Sequence, residues 1–250
     1  MNRGVTPKMS YKIIVDLSHK EQIEEFPEFS LGEDDYEVEY IDKNEGPIEF
    51  DILEDFDVLF IGNIKAAQDG KADKFTQAEL LAIKKFIGEG GGLFLTSGDG
   101  GDKDITMKQG SIRVLYKITG VRRFWNGIIH EASSNFLVNR TNLLVTELFN
   151  HLITKGVTEV VLPNCTFFTI SEEDVEDIIL TSEKSEFKYY VDDDVGVLGP
   201  VPVCTVSKFY NGRCISIGSS DWMREDSDFG LDAGDNLKFL SNIIEWLSFD

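Results

Sequence analysis

Polar side chains suited to acid–base, nucleophilic or ligand-binding chemistry follow several apolar runs of this chain. Short apolar runs that alternate with helical patterns are typical of parallel strands, and ligands bind at the carboxyl ends of such strands. Hydroxyls, carboxylates, an amide and an imidazole at that edge suit a sugar-like ligand, which needs hydrogen-bond donors and acceptors. The candidate ligand-binding residues are Asp16, Ser18, His19, Glu21, Asn63, Ser97, Asp99, Ser219 and Asp221.

A small hydrolase or carbohydrate-acting enzyme is the alternative prediction for the same residues. His19 could act as a general base toward Ser97 if Asp16 or Glu21 oriented its imidazole within hydrogen-bond reach. Ser97 does not lie in a G-x-S-x-G elbow, and the next helical pattern (111–120) begins well beyond it. The simpler interpretation is that these residues cap helices and close turns, so no catalytic residue is predicted.

The glycine-rich stretch "GEGGGLFLTSGDGGD" (88–102) does not match a phosphate-binding loop. A phosphate cradle needs glycines after a strand and before a helix, because the helix N-terminus supplies the backbone amides. Here Gly88 and Gly90 follow a helical pattern, and the apolar run "LFLTS" comes next. These glycines are therefore expected to end a helix and lead into a strand, and no cofactor is predicted.

Composition narrows the range of partners. The chain has 250 residues, with 45 acidic against 24 basic side chains and a formal net charge of -21. Such a surface repels phosphate backbones and anionic lipids, so we expect no nucleic-acid partner and no membrane insertion. The partners that remain compatible with this charge are another protein, a second copy of the chain in a homodimer, or a sugar-like small molecule. The acidic loops within 99–104, 192–194 and 226–232 lack the ligand ladder of calcium loops, so no metal site is predicted.

The cysteines indicate a reducing compartment. Cys165, Cys204 and Cys214 lie in apolar, strand-like segments without C-x-x-C spacing, so we expect buried, reduced thiols. No segment reaches the length of an apolar membrane span, and the first residues contain no apolar signal region. The expectation is a cytoplasmic protein with a single domain over 1–250, of which residues 1–10 are loosely ordered.

The first half of the chain alternates strand and helix patterns. Strands are predicted at 11–18, 36–42 and 57–62, the second nearer a sheet edge because its side chains alternate strictly. A helix over 76–90 begins with Thr76 and Glu79, which have the spacing of a capping box.

The second half carries weaker patterns. Leu144, Leu148 and Leu152 have helical spacing and predict a helix over 141–157. Strands are expected at 159–170 and 177–185, and an Asn-Gly turn predicts a hairpin of 203–209 with 213–218. A last helix over 235–249 is predicted to begin at Asp235 and to bury Leu237, Leu240, Ile244 and Leu247.

Three stretches resemble the class I glutamine amidotransferase-like superfamily. "DLSHKE" (16–21) is similar to a D-x-x-H-x-E turn of that group, and "DVLFIGN" (57–63) with "FTQAELLAIKKFIGEGGGLFLTSGDGG" (75–101) is similar to its strand, acidic helix and glycine-led strand. "NGRCISIGSSDWM" (211–223) with "GDNLKFLSNIIEWL" (234–247) is similar to its closing strand, turn and helix. Within the superfamily the order resembles the GIFT-type domains of gliding-associated transport proteins and of an intraflagellar transport subunit.

The resemblance implies an α/β fold of the flavodoxin-like, three-layer type. A mostly parallel central sheet would carry helices on both faces and an antiparallel hairpin near the C-terminus. It does not imply amidotransferase chemistry, because the G-x-C-x-G elbow that holds the nucleophilic cysteine in those enzymes is absent. The predicted function is a non-catalytic binding or scaffold module for a protein partner or a sugar-like ligand. Phe124, Trp125 and Trp222 are the aromatics expected on its contact surface.

Overall fold

The computed structural model describes residues 10–19, 21, 25–28, 35–42, 46–62, 64, 75–101, 115–132, 134–170, 175–190, 195–197 and 199–248. The strands of the main sheet are β1 (Ser10–Asp16), β2 (Asp35–Ile41), β3 (Val58–Ile61), β4 (Gly92–Thr96), β10 (Val175–Leu180), β13 (Pro202–Phe209) and β14 (Gly212–Ile217). The helices are α1 (Phe50–Leu53), α2 (Gln77–Gly88), α3 (Tyr116–Thr119) and α4 (Asn236–Leu247), with short 3₁₀ helices at Leu152–Thr154 and Asp221–Met223.

The main sheet has seven strands in the order β10-β13-β14-β4-β3-β1-β2. The five strands from β14 to β2 are mutually parallel, and β13 and β10 extend the sheet by antiparallel pairing. The fold is therefore mixed α/β with a mostly parallel central sheet, as the sequence predicts. β2 lies at one edge of the sheet, in agreement with its alternating pattern.

Smaller antiparallel sheets are formed by the strands between β4 and β13 other than β10. β5 (Val121–Phe124) pairs with β9 (Phe168–Ile170), and β7 (Asn142–Val145) pairs with β8 (Val160–Pro163). β11 (Glu186–Tyr189) lies between β6 (Gly127–His130) and β12 (Val195–Val197).

Two apolar cores lie on opposite faces of the main sheet. Ile13 and Val15 of β1 belong to the core that contains α4, and Ile14 belongs to the core that contains α2, as alternation along a strand requires. Helices thus cover both faces, but only α2 and α4 among the described helices exceed four residues. The β7–β8 and β6–β11 pairs share the α4 face, so the three-layer arrangement is confirmed only in part.

The glycine-rich stretch folds as a helix end followed by a strand. Thr76 Oγ1 accepts a hydrogen bond from the backbone N–H of Glu79 at 3.2 Å, and the Glu79 carboxylate accepts one from the N–H of Thr76 at 2.6 Å. This capping box starts α2, as predicted. After α2, Gly90 has a φ of +124°, and β4 begins at Gly92. The order of helix, glycines and strand is confirmed.

The hairpin of β13 and β14 is also confirmed. Phe209 pairs with Gly212, so Tyr210 and Asn211 form the two-residue turn, with Tyr210 at a φ of +52°. A Cβ atom on Gly212 would lie 2.1 Å from the backbone oxygen of Ile87. Glycine is therefore required where β14 passes the end of α2.

The predicted helix over 141–157 is wrong. Residues Asn142–Val145 form β7, and Leu152–Thr154 form one short 3₁₀ turn. Leu143 and Val145 alternate into the α4-side core while β7 pairs with β8, so tertiary pairing overrides the helical spacing of the leucines. Leu152, which the helix would have buried, is 66% exposed.

Further expectations for the second half need correction. The predicted strand over 159–170 is two strands, β8 and β9, and Leu237 is 39% exposed rather than part of the α4 core face.

The aromatics expected on a contact surface are largely buried. Phe124 and Trp222 are fully buried, and Trp125 stacks on Phe167 with ring centroids 5.4 Å apart. Phe124 and Trp222 are therefore core residues and cannot form a contact surface, whereas Trp125 is half-buried against the core. Of the predicted helix over 111–120, the structure describes Tyr116–Thr119 as helical and leaves 111–114 outside the described residues.

Candidate functional site

The main sheet has a topological switch point between β1 and β3. β1 pairs with β2 on one side and with β3 on the other, so the chain leaves β1 in one direction and returns on its opposite side. Asp16 is the last residue of β1, and Glu21 forms an isolated bridge with Ile64, just beyond β3. The segment 16–21 thus lies where open α/β sheets bind ligands.

The side chains of Asp16, Ser18 and His19 form a compact turn. Ser18 donates to Asp16 Oδ1 from its backbone N–H at 2.9 Å and from its hydroxyl at 2.6 Å. Nδ1 of His19 lies 2.8 Å from Asp16 Oδ2, and Nε2 lies 3.4 Å from Oε1 of Glu79 on α2. Nδ1 also lies 3.0 Å from the Ser18 hydroxyl oxygen. Each ring nitrogen of His19 therefore lies near a carboxylate, and the ring contacts that of Phe75 with centroids 4.2 Å apart.

Glu21 completes a buried group of four charged or ionisable side chains. Its Oε2 accepts a hydrogen bond from the backbone N–H of His19 at 3.1 Å, whereas its Oε1 lies 4.0 Å from His19 Nδ1 and has no hydrogen-bond partner among the described residues. Asp16, His19, Glu21 and Glu79 are each at most 6% exposed. We call these four residues the switch-point cluster.

Burial and mutual charge determine the protonation of the switch-point cluster. Burial raises the pKa of Asp16, but the hydrogen bond and charge of His19 outweigh it and leave that pKa below its ordinary value. Burial lowers the pKa of His19, but Asp16 and Glu79 outweigh it and raise the pKa. Burial together with the Asp16 carboxylate raises the pKa of Glu21 to about 9. At neutral pH the cluster therefore contains ionised Asp16 and neutral Glu21.

Ser97 and Asp99 lie apart from this cluster. Ser97 is fully buried at the end of β4, where its backbone N–H donates to Ile217 at 2.9 Å, and its hydroxyl makes no hydrogen bond to any described residue. Asp99 accepts a hydrogen bond from the Tyr190 hydroxyl. The pairing of His19 with Ser97 that a hydrolase requires is therefore not formed.

Ser219 and Asp221 connect β14 to the loop after β8. The Ser219 hydroxyl donates to the backbone oxygen of Pro163 at 2.5 Å, and Asp221 accepts from the Asn164 side chain at 2.6 Å. Asn63 lies outside the described residues. The predicted ligand-binding set therefore divides into three groups with separate partners, of which only Asp16, Ser18, His19 and Glu21 contact one another.

The three cysteines cannot supply a nucleophile in this fold. Cys165, Cys204 and Cys214 are free and buried, as the sequence predicts. Burial raises the pKa of Cys214 to about 12 and raises the pKa of Cys165 and Cys204 still further. The thiolate, which is the reactive form of cysteine, is therefore not populated at neutral pH.

A groove at the amino end of β14 was not predicted from the sequence. It lies between the 3₁₀ turn Leu152–Thr154, the start of β14 and the end of α4, and its volume is about 440 Å³. We call it the basic groove, because it gathers three cations and one carboxylate in a chain of net charge -21. It is lined by Leu152, Lys155, Gly156, Arg213, Lys238, Asn242, Glu245 and Trp246.

Internal contacts hold the walls of the basic groove. The Asn242 side chain donates to the backbone oxygens of Ile153 and Lys155 at 3.0 and 2.9 Å, which ties the 3₁₀ turn to α4. Arg213 donates to the backbone oxygen of Trp246 at 2.7 Å, and its guanidinium lies 5.7 Å from the Trp246 ring centroid. The lining comes from three distant segments, so no linear pattern could reveal it.

Comparison with known proteins gives structural neighbours only. No protein-family model and no curated protein matches the sequence. The fold is similar to that of the mmIFT52 N-terminal domain, with a TM-score of 0.66, 17% identity, and coverage of 95% of this chain and 98% of that one. A ThuA-like protein from Bacteroides uniformis ATCC 8492 has a TM-score of 0.55 at 17% identity, over 99% and 94% of the two chains.

A third neighbour is a cytoplasmic protein from Salmonella typhimurium LT2. Its TM-score is 0.52 at 15% identity, with 85% of this chain and 82% of that chain covered. At these identities the comparisons define the fold and not an activity. Within the described residues, no helix is long and apolar enough to cross a membrane.

Proposed function

We propose that this chain is a non-catalytic protein-binding module of the class I glutamine amidotransferase-like superfamily, folded as one domain and acting in the cytoplasm. The observation that carries the proposal is a contrast between the carboxyl ends of the strands and the amino end of β14. The polar side chains at the strand ends are largely buried in internal contacts, whereas Leu152 at the basic groove is 66% exposed. The likeness in fold to the mmIFT52 N-terminal domain and to a ThuA-like protein supports the choice of superfamily.

Two features argue for the absence of catalysis. An amidotransferase needs an ionisable cysteine, and burial keeps all three thiols protonated. A serine hydrolase needs a base within hydrogen-bond reach of its hydroxyl, and the ring nitrogens of His19 face Asp16 and Glu79 instead of Ser97. The burial of Asp16, Ser97 and Ser219 also argues against a sugar-like ligand at this edge, because their oxygens do not reach solvent.

The basic groove favours a partner of definite chemistry. Lys155 and Lys238 are exposed and flank the apolar surface of Leu152. A complementary partner would place an apolar side chain against Leu152 and acidic residues near the two lysines. The lysines would favour such a segment over a neutral one, because charge complementarity mainly governs specificity and association rate.

Site-specific photo-crosslinking in cells tests this assignment. A photoreactive amino acid is placed at position 152 or, as a matched control, at position 81. Leu81 is an apolar residue of α2 that is 57% exposed and remote from the groove. We expect a discrete crosslinked partner from position 152 and none of the same mass from position 81. A product of twice the chain mass would identify a second copy as the partner.

The purified partner then allows a quantitative test. Leu152→Ser and Lys238→Glu should each weaken its affinity by about tenfold or more, as for residues at the centre of an interface. Leu81→Ser should leave the affinity within about twofold. Equal crosslinking from the two positions, or equal losses in the three variants, would contradict a binding role for the basic groove.

A further inference from the structure

The switch-point cluster holds an unsatisfied buried acceptor. Glu21 is 6% exposed, and its Oε1 lies 4.0 Å from Nδ1 of His19 without a hydrogen-bond partner among the described residues. A buried carboxylate oxygen without a partner is costly, since it has lost water and gained nothing in return. A proton or a cation bound to Oε1 would remove this cost.

We propose that Asp16, His19 and Glu21 bind one divalent cation of the zinc class. Each residue offers one ligand atom, and the three atoms lie within 4.8 Å of one another. Ligands about 2.1 Å from one ion at tetrahedral angles are about 3.4 Å apart, so side-chain shifts of about 1 Å would close the site. This inference is independent of the basic groove and of the proposed partner.

The contacts around His19 orient it as a metal ligand. Nδ1 lies on the side of Asp16 Oδ2 and Glu21 Oε1, while Nε2 lies 3.4 Å from Glu79 Oε1. If Glu79 accepts the Nε2 proton, the lone pair is on Nδ1, which lies 2.8 Å from Asp16 Oδ2, 3.0 Å from Ser18 Oγ and 4.0 Å from Glu21 Oε1. This is the carboxylate–histidine–metal arrangement that fixes the tautomer in many metal sites. Ser18 in turn fixes Asp16 through two hydrogen bonds to Oδ1, which leaves Oδ2 for the ion.

The donor set indicates which ion would bind. One imidazole nitrogen and two carboxylate oxygens suit Zn²⁺, whose sites often combine three protein ligands with one further position. Mg²⁺ and Ca²⁺ prefer six or more oxygen ligands and would bind this set weakly. Ionised Asp16 supplies one negative charge, and Glu21 would release its proton when the cation binds.

Zinc binding to the chelator-treated full chain tests the proposal. Calorimetry and elemental analysis should give one Zn²⁺ per chain, and Mg²⁺ at the same concentration should give no binding. Asp16→Asn and Glu21→Gln should each weaken Zn²⁺ binding by at least ~100-fold, more than the loss of an outer-shell group. Asp99→Asn, in the loop after β4, serves as the matched control and should leave the affinity unchanged.

Glu79 is a positioning residue in this site and requires its own control. Glu79→Gln should weaken Zn²⁺ binding by about 10- to 100-fold. Thr76→Ala removes only the hydroxyl of the same capping box, does not touch His19, and should leave Zn²⁺ binding unchanged. If a ligand variant fails to fold, Co²⁺ bound to the native chain should show the visible absorption of a low-coordinate site and broaden the His19 ring signals. A chain that binds no Zn²⁺, or variants that bind it as the native chain does, would overturn the proposal.

Discussion

Nδ1 of His19 lies 2.8 Å from Oδ2 of Asp16, and the two side chains are at most 6% exposed. The contact joins the last residue of β1 to the turn that follows it, at the switch point of the main sheet. The contact lowers the pKa of Asp16 and raises that of His19, in each case against the effect of burial.

Asp16→Asn should destabilise the fold strongly. The substitution removes the charge that offsets the burial of His19 and weakens the bonds from Ser18, and breaking a buried ion pair costs about 3 kcal/mol or more. Urea unfolding in the presence of a chelator measures the effect. Asp99→Asn, which changes an exposed carboxylate, should cost less than about 1 kcal/mol. Equal effects of the two variants would mean that the Asp16–His19 contact contributes little to stability.

Glu21→Gln should change the pH dependence of stability more than stability itself. The pKa of Glu21 is raised from 4.5 to about 9, so the folded state holds a proton that the unfolded state releases. Stability of the metal-free native chain should therefore fall as the pH rises between these values, and His19, whose pKa is also raised, acts in the same direction.

The glutamine variant lacks that proton. Its unfolding free energy should therefore depend less on pH than that of the native chain, by up to about 1.4 kcal/mol per pH unit. At pH 5 its free energy of unfolding should lie within about 1 kcal/mol of that of the native chain. At pH 8 the variant should be the more stable of the two. Parallel pH profiles for the two chains, measured by urea unfolding with a chelator present, would contradict a protonated Glu21.

The three thiols should resist modification in the folded state. Because burial raises their pKa and excludes reagents, a disulfide reagent at pH 7 to 8 should label none of them within minutes. In denaturant, the same reagent should titrate three thiols per chain. Rapid labelling of Cys165, Cys204 or Cys214 in the native chain would contradict the conclusion that these thiols are unreactive.

Gly212→Ala should destabilise the hairpin more than an ordinary strand glycine. Its Cβ would meet the backbone oxygens of Ile87 and Gly91 at 2.1 and 2.4 Å, and backbone atoms cannot withdraw as a flexible side chain can. A loss of about 2 kcal/mol or more is expected from such overpacking. Gly196 of β12 is the matched control, because no atom lies within 4 Å of its added Cβ. Equal thermal stabilities of the two alanine variants would contradict the close approach.

The elements of the main sheet and helix α2 could be predicted because their signals are local. The capping box at Thr76 and the Asn-Gly hairpin are each defined by residues close in sequence. The short strands β5 to β9 instead depend on partners distant in the chain, so the leucine spacing from Leu144 to Leu152 indicated a helix that tertiary pairing overrides.

The candidate site also has a part that a local sequence pattern predicts and parts that come from distant segments. The spacing of "DLSHKE" places Asp16, His19 and Glu21 in one turn, but Glu79 reaches His19 from α2, and no sequence pattern links the two. Ser97 and Ser219 follow neighbouring strands, yet the hydroxyl of Ser219 is bound to Pro163, so shared position at a sheet edge did not produce a shared site. The basic groove was missed because its cations come from separate segments.

The most direct measurement for the binding role is the dissociation constant of the crosslinked partner for the native chain, Leu152→Ser and Leu81→Ser under one set of conditions. A groove-centred interface predicts a loss of about tenfold or more for the first variant and almost none for the second. Unchanged affinity in Leu152→Ser, with both variants folded, would contradict it.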